Sequence, residues 1–188
     1  RVSSDTIVAS VYAPTPDFRN LDQGLSGTNI STGATYGGWH ASSWTAKAGL
    51  PFGRHGAAAA VIDGRIHVVA GYYDPADQST HAVYSPLSDS WTTLKDLTPA
   101  VKRRYLGGAA LNGKLVVAGG YNGAARDWTN EYDPLTDAWT AKGTLNTARQ
   151  QAGMAESGGR LYAGGGSNSF GTPLASAESY DPITGQWT

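Results

Sequence analysis

Three short, continuously apolar runs recur along the chain, and each follows a pair of residues typical of a tight turn. The runs cover residues 65–71, 114–120 and 160–166, behind the pairs Asp63-Gly64, Asn112-Gly113 and Gly158-Gly159. Asp, Asn and Gly accept the positive φ angles that a two-residue type I′ hairpin needs. A short run that is apolar throughout is typical of a strand covered on both faces. The pattern therefore predicts three buried strands, each entered through a hairpin.

Further strands are predicted on either side of each run. Before the hairpin, a first strand follows an arginine that recurs in every unit, at Arg54, Arg103 and Arg149. After the run, a third strand is indicated at 81–84, 130–132 and 179–180. A turn containing proline then leads to a fourth strand that carries a tryptophan, because proline presets the φ angle of the turn. Each run also ends in glycine, which predicts that neighbouring backbones converge there.

The tryptophans show how often this unit repeats. Trp44, Trp91, Trp139 and Trp187 stand 47, 48 and 48 residues apart. A fixed interval indicates copies of one supersecondary unit, and four antiparallel strands in about 48 residues are typical of a β-propeller blade. We therefore predict an all-β fold, a single repeat domain over 1–188 with about four blades. Three of them are residues 49–96, 97–143 and 144–188, and residues 1–48 are either a diverged blade or a cap.

Over residues 50–188 the repeat resembles the kelch family. The shared pattern is an arginine before the first strand, a glycine doublet such as Gly119-Gly120 at the end of the second, and a Tyr-Asp-Pro phrase leading to tryptophan, as from Tyr132 to Trp139. One unit departs from this pattern, with Gly71-Tyr72 and with Ser85 in place of the aspartate. The resemblance implies a kelch-type β-propeller or partial propeller, and complete kelch rings commonly have six or seven blades.

A count of about four blades leaves the closure of the ring open. The chain is either part of a larger propeller, an unusually small closed ring, or a partial propeller whose open strand edges are met by other chains, which would make a homo-oligomer. Trp187 lies one residue from the end of the sequence. A closed ring is therefore expected to need pairing from Arg1–Ser10 or from another chain.

Composition and charge narrow the classes of function. The formal net charge of −1 provides no electrostatic footprint for nucleic acid, and the one basic cluster, Lys102-Arg103-Arg104, is predicted to be a solvated loop. The absence of cysteine excludes a disulfide framework and a thiolate metal site. The four histidines lack the spacing of a short metal motif, and His67, in an apolar run, is predicted to be a hydrogen-bonded core or flank residue. We predict no metal, no cofactor and, without a long apolar segment, no membrane span.

Two sets of residues are candidates for binding, and each has an alternative explanation. The first set is the repeated Arg54, Arg103 and Arg149, which could present guanidinium groups on one face; alternatively they tie the blades together through carbonyl or acidic groups. The second set consists of aromatic residues expected in the loops after the second strands, where they could anchor a protein or stack on a sugar, or pack on their own blade. They are Tyr72, Tyr73, Tyr121 and Phe170.

These observations favour a non-enzymatic binding or assembly module that contacts a protein or a glycan through its propeller loops. Few charged residues, abundant Ser, Thr, Gly and Tyr, and the lack of an initiator methionine favour a secreted or cell-surface protein, and a close variant of this prediction is a subunit of an extracellular assembly. The kelch resemblance also implies an alternative, a carbohydrate-active enzyme of the sialate mutarotase or epimerase kind. We predict no catalytic residues, because the available carboxylates form no acid and base pair in the sequence. These are Asp74, Asp77, Glu131, Glu156 and Glu178.

Overall fold

The computed structural model describes residues 45–98 and 102–188, which form three antiparallel sheets of four strands each. The first sheet contains β1 (Ala58–Ile62), β2 (Arg65–Tyr73), β3 (Ala76–Ser85) and β4 (Ser90–Leu94). The second contains β5 (Gly107–Leu111), β6 (Lys114–Ala118), β7 (Thr129–Asp133) and β8 (Ala138–Lys142). The third contains β9 (Gly153–Ser157), β10 (Arg160–Gly164), β11 (Ala177–Asp181) and β12 (Gln186–Trp187).

Each sheet is one blade, in which consecutive strands pair in chain order as a simple meander. We call them the first, second and third blades. All three lie within one compact unit, Lys47–Thr188. The predicted all-β architecture of four-stranded blades is thereby confirmed for these residues. The prediction of a diverged blade or cap over residues 1–48 falls on residues of which 1–44 lie outside the described part of the chain.

The hairpins between first and second strands have the predicted backbone. Asp63 and Gly64 have φ angles of 49° and 71°, and Asn112 and Gly113 have 51° and 73°. Positive φ at both central positions matches the right-handed twist of the flanking strands, as in a type I′ turn. The sequence pairs therefore fix the register of the two strands that they join, such as Ile62 opposite Arg65.

Neighbouring backbones do converge at the ends of the second strands. The Gly120 N–H donates to the Arg149 carbonyl over 2.8 Å, and the Gly71 N–H donates to the Arg103 carbonyl over 2.9 Å. A Cβ atom on Gly119 would collide with the same Arg149 carbonyl. Gly119 is thus required where the segment that enters the next blade passes close by, and Gly71 and Gly120 are required where the first segment of their own blade does so.

The hydrophobic core lies between blades as two clusters. The first joins the first and second blades, with Ile62 and Val69 on one side and Leu115, Tyr132 and Trp139 on the other. The second joins the second and third blades and contains Leu111, Val116, Leu161, Tyr180 and Trp187. The repeated tyrosine and tryptophan of the second and third blades therefore fill the space between blades, which is why their spacing marks the repeat.

One predicted loop is wrong. Tyr72 and Tyr73 were expected after the second strand, but β2 extends through Tyr73, and its last two residues pair with Asp77 and Ala76. The register shifts between Val69 and Gly71, so the extension continues past an irregularity of the β-bulge type.

Within residues 45–98 and 102–188, the structure contains no helix with the length and apolar character that a membrane span requires.

Candidate binding surface

The three repeated arginines lie at equivalent points before the first strand of each blade, and two of them are wholly buried. Arg103 and Arg149 are 0% exposed, and Arg54 is half-buried. Arg149 donates to the carbonyls of Gly165 and Ser176 and to the Glu178 carboxylate, with which it forms an ion pair of 2.8 Å. These contacts tie the second and third strands of the blade to its entrance.

The other two arginines make similar internal contacts. Arg54 donates to the carbonyls of Ala70 and Thr80, and Arg103 donates to the Asn130 side-chain oxygen over 3.0 Å. Burial lowers the pKa of Arg103 to about 10, which still leaves it charged at neutral pH. Ligand binding by the three arginines stays a prediction, and the burial of Arg103 and Arg149 weighs against it.

A different arginine lies at the centre of an aromatic cluster. Arg104 forms an ion pair with Asp77, with 2.8 Å between Nη1 and Oδ1. Its guanidinium carbon lies 4.7 Å from the centre of the Tyr72 ring, 5.1 Å from Tyr121 and 5.5 Å from Tyr105. At these distances the cation is attracted by the electron-rich face of each ring. The Arg104 side chain is 25% exposed, so the group remains accessible from solvent.

Two blades contribute to this cluster. The first blade supplies Tyr72 and Asp77 from the extended β2–β3 hairpin, together with His55, whose ring centre lies 5.3 Å from that of Tyr72. The second blade supplies Arg104, Tyr105 and Tyr121. We call these six residues the rim cluster. Their side chains therefore hold together only while the two blades are packed.

Backbone pairing fixes the cluster in place. His55 and Tyr72 exchange two hydrogen bonds, of 3.1 and 2.8 Å, and Arg104 and Tyr121 exchange two of 3.1 and 2.7 Å. Tyr105 donates its N–H to the Gly56 carbonyl over 2.7 Å and has a φ angle of 60°. The equivalent residues Gly56 and Gln151 have φ angles of 63° and 59°, so the repeat imposes this left-handed backbone and Tyr105 adopts it at a cost in conformational energy.

The remaining predicted aromatic residues lie outside the rim cluster. Tyr73 is 58% exposed and Phe170 is 93% exposed. Phe170 belongs to a third-blade loop in which the Asn168 side chain accepts from the N–H groups of Phe170 and Thr172. The structure therefore brings Tyr72 and Tyr121 together and leaves Tyr73 and Phe170 as separate exposed residues.

Sequence reasoning did not name Arg104, Tyr105 or His55 as binding residues, and it considered Asp77 only as a carboxylate for catalysis. The prediction that Lys102-Arg103-Arg104 is a solvated loop is wrong for its last two members, since Arg103 is buried and Arg104 lies among tyrosine rings. A usable signal was present. When the three repeated arginines are aligned, Tyr105 occupies the position of Gly56, which has a φ angle of 63°.

The candidate carboxylates each have a partner of their own. Asp77 pairs with Arg104, Glu131 with Lys114 and Lys142, and Glu178 with Arg149. Glu156 accepts from the Gly159 N–H, and Asp74 accepts from the Tyr72 hydroxyl, which raises the pKa of Tyr72. Within residues 45–98 and 102–188, no group of three potential ligands is placed to hold a metal ion.

Comparison with known proteins agrees with this architecture. Models of the Kelch motif match residues 53–98, 102–146 and 148–188. The solved structure of YjhT is similar to this chain with a TM-score of 0.65 and 17% sequence identity, covering 73% of this chain and 51% of that chain. This chain thus spans about half the length of the YjhT chain, and at that identity the likeness shows the fold alone. A search of curated proteins found no match. With Kelch motifs over most of its length, the chain belongs to the kelch-repeat family.

Proposed function

We propose that this protein is a non-enzymatic binding module that contacts a partner through the rim cluster. The observation that carries the proposal is the placement of Arg104 among three tyrosine rings supplied by two blades. Tyrosine and arginine are enriched among the residues that dominate binding energy, because they offer a large contact area and directional donors. Kelch propellers commonly bind proteins, so a protein is the partner that we favour.

The rim cluster has the physical properties of a prepared contact surface. Tyr72, Arg104, Tyr105 and Tyr121 are each half-buried, so their rings are supported on one side and reachable on the other. The ion pair with Asp77 and the paired backbone segments fix the guanidinium before a partner arrives. A preformed surface loses less side-chain entropy on binding, which favours affinity.

The enzyme alternative is not favoured. Asp74 and Asp77 lie at the same hairpin, but Asp77 is paired with Arg104, and Glu131, Glu156 and Glu178 are held by partners in other parts of the described chain. A general acid and a general base must both reach one substrate and have matched pKa values. Glycan binding remains a second candidate partner class, because tyrosine rings can stack on sugar rings. A secreted or cell-surface location, and assembly through open strand edges, belong to the proposal as well.

The proposal is tested by placing a photo-crosslinking amino acid at Tyr121 and, as a control, at Tyr162. Tyr162 is 45% exposed on the third blade, outside the rim cluster. In the native source, we expect one discrete crosslinked protein from position 121 that is absent from position 162 and is lost when Arg104→Ala is added. A glycan array probed with the same chain separates the two partner classes. Equal crosslinking from both positions, with no glycan bound, would contradict the proposal.

A further inference from the structure

Two histidines form a buried pair between the first and second blades. His67 on β2 and His81 on β3 share a hydrogen bond of 3.0 Å between Nδ1 and Nε2. His67 is 4% exposed and His81 is 0% exposed. His81 meets the Tyr132 ring edge-on, with 4.5 Å between ring centres, and the Trp139 ring at 5.4 Å. The pair is therefore packed against the two aromatic residues that anchor the second blade.

The pair interrupts the repeat at this one junction. The positions equivalent to His67 are Val116 and Tyr162, and the position equivalent to His81 is Thr129 in the second blade. Val116 is buried in the corresponding cluster between the second and third blades. A repeat blade can thus fill this space with residues that do not titrate. The two imidazoles are therefore specific to the first junction, and the blade fold does not require histidine at these positions.

Charges of both signs act on the pair. Asp63 and Arg65, at the start of β2, act on His67 with opposite signs. Asp137, in the β7–β8 turn, and Arg54, before β1, act on His81 with opposite signs. The remaining titratable group against the pair is the Tyr132 hydroxyl, which donates to Asp137 over 2.8 Å. The backbone of Lys95 favours the protonated form of His81, but burial is the largest influence on the pKa of both histidines, and no carboxylate within the described residues bonds either imidazole.

Solvent can reach one end of the pair. His67 lines a cleft of about 350 Å³ between the first and second blades, together with Asp63, Arg65, Tyr132 and Leu135. Leu135 is 93% exposed at the mouth of this cleft. Protons therefore have a path to His67 that does not require the protein to unfold, and His67 leads directly to His81.

We propose that the His67–His81 pair is an acid-sensitive joint that holds the first and second blades together when neutral and loosens them when protonated. A charged imidazole would lie against apolar and aromatic surface at the centre of the junction, which is unfavourable without a partner of opposite charge. The same two blades supply the rim cluster. Loosening the joint would therefore also separate the two halves of that cluster, although the joint itself does not depend on the proposed function.

The direction of the pH effect follows from comparing the pKa values of the two histidines in the unfolded and the folded protein. In the unfolded chain both histidines take up protons near pH 6.5. In the folded protein, burial first and then His67 lower the pKa of His81 to about 3, and burial first and then Arg65 lower that of His67. Stability is thus complete above about pH 6.5 and declines as the pH falls toward the folded values. One histidine raises the unfolding equilibrium constant by up to about tenfold per pH unit in that window.

The test replaces both histidines with the residues found at the equivalent positions of the second blade. The double variant His67→Val and His81→Thr installs the residues of the second blade. Urea unfolding, followed by tryptophan fluorescence between pH 7.5 and 4.5 in the presence of EDTA, is compared with the original chain. Carboxylates titrate in both proteins, so the difference between them isolates the pair. The control is Tyr162→Val, which changes the equivalent position of the third blade.

Between pH 6.5 and 4.5 we expect the folding equilibrium constant of the original chain to fall at least about tenfold more than that of the double variant. Tyr162→Val should follow the original chain. Parallel curves for the original and the double variant would overturn the proposal. If the double variant does not fold, the imidazole signals of the original chain are titrated by NMR. Midpoints for His67 and His81 below about pH 5 support the joint, and midpoints near 6.5 overturn it.

Discussion

The junction between the first and second blades and the junction between the second and third use the same strand positions but different chemistry. At the first, the Asp137 carboxylate accepts from the Lys95 N–H over 3.0 Å and from the Tyr132 hydroxyl over 2.8 Å. At the second, Gly185 stands at the position of Asp137, and its carbonyl accepts directly from the Gly143 N–H over 3.0 Å. A side-chain link in one junction is thus replaced by a backbone link in the other.

The two buried arginines also differ between the junctions, but here it is the second junction that has the charged side-chain partner. At the second junction, Arg149 has the Glu178 carboxylate as a partner, and Glu178 also accepts from the backbone N–H groups of Asn146 and Thr147. At the first, Arg103 donates to the neutral Asn130 side chain and lies 5.9 Å from the centre of the Trp128 ring, and its Nε and Nη1 atoms have no hydrogen-bond partner in the described structure. The charge is well compensated at one junction and poorly compensated at the other.

This difference teaches where to look for function in a repeat. The tyrosine, tryptophan, arginine and glycine positions shared by all blades build the fold. The features found only once, namely the His67–His81 pair and the rim cluster, both lie at the first junction. We infer that the second junction serves mainly to hold blades together, whereas the first also responds to a partner and to acid.

The largest effect is expected from Trp139→Ala. Trp139 is 9% exposed, packs with its ring centre 5.2 Å from that of Tyr132, and donates to the Lys95 carbonyl over 2.9 Å. Its removal should lower the free energy of unfolding by about 3–5 kcal/mol, measured by urea unfolding. Trp91→Ala is the control, because Trp91 is only half-buried and should cost less. Equal losses would show that the first junction is not held by Trp139.

The next largest effect is a difference in the free energy of unfolding between variants of the two buried arginines. Arg149→Met leaves the Glu178 charge buried without its partner, so we expect a loss of about 3 kcal/mol in the free energy of unfolding. Arg103→Met removes a poorly compensated charge and should cost about 1 kcal/mol or less. Thermal and urea unfolding of both variants measure this difference. A larger loss for Arg103→Met would reverse the contrast drawn between the junctions.

The smallest effect that we expect is a gain in stability, from Gly185→Asp. The Tyr180 hydroxyl is buried without a partner in the described chain, and a Cβ atom on Gly185 would lie 3.8 Å from it. Asp89 and Asp137 already adopt φ angles of 47° and 49° at this repeat position. Gly185→Asp should therefore supply the missing acceptor and raise stability by about 0.5 kcal/mol, seen as a higher Tm. A lower Tm would mean that the side-chain link cannot be transferred to the second junction.

The sequence predicted most of the blade because local signals and the repeat agree. Asp63-Gly64 specified both the hairpin and its register, and the interval that includes Trp139 specified the length of the repeat. The prediction of a hydrogen-bonded core or flank role for His67 is also confirmed. Its partner was not predicted, because the pairing of β2 with β3 depends on the length of the β2 extension and on the irregularity after Val69.

The rim cluster could not be assembled in the same way. Its contacts join Tyr72 of one blade to Arg104 and Tyr121 of the next, and no local pattern encodes the offset between blades. Arg103 and Arg104 are adjacent in sequence but differ in burial. Arg103 is buried in the interior, whereas Arg104 is partly exposed in the rim cluster.

The central claim is that Arg104, at the first junction, is the anchor for a partner. The most direct test is the dissociation constant of the crosslinked partner for the original chain, Arg104→Ala and Arg160→Ala. Arg160 is a matched control, since it also forms an ion pair, of 2.6 Å with Asp181, but on the third blade. We predict that Arg104→Ala weakens binding by about 30-fold or more, as for other anchor residues, and that Arg160→Ala changes it by less than about twofold. Equal affinities for all three proteins would contradict the account.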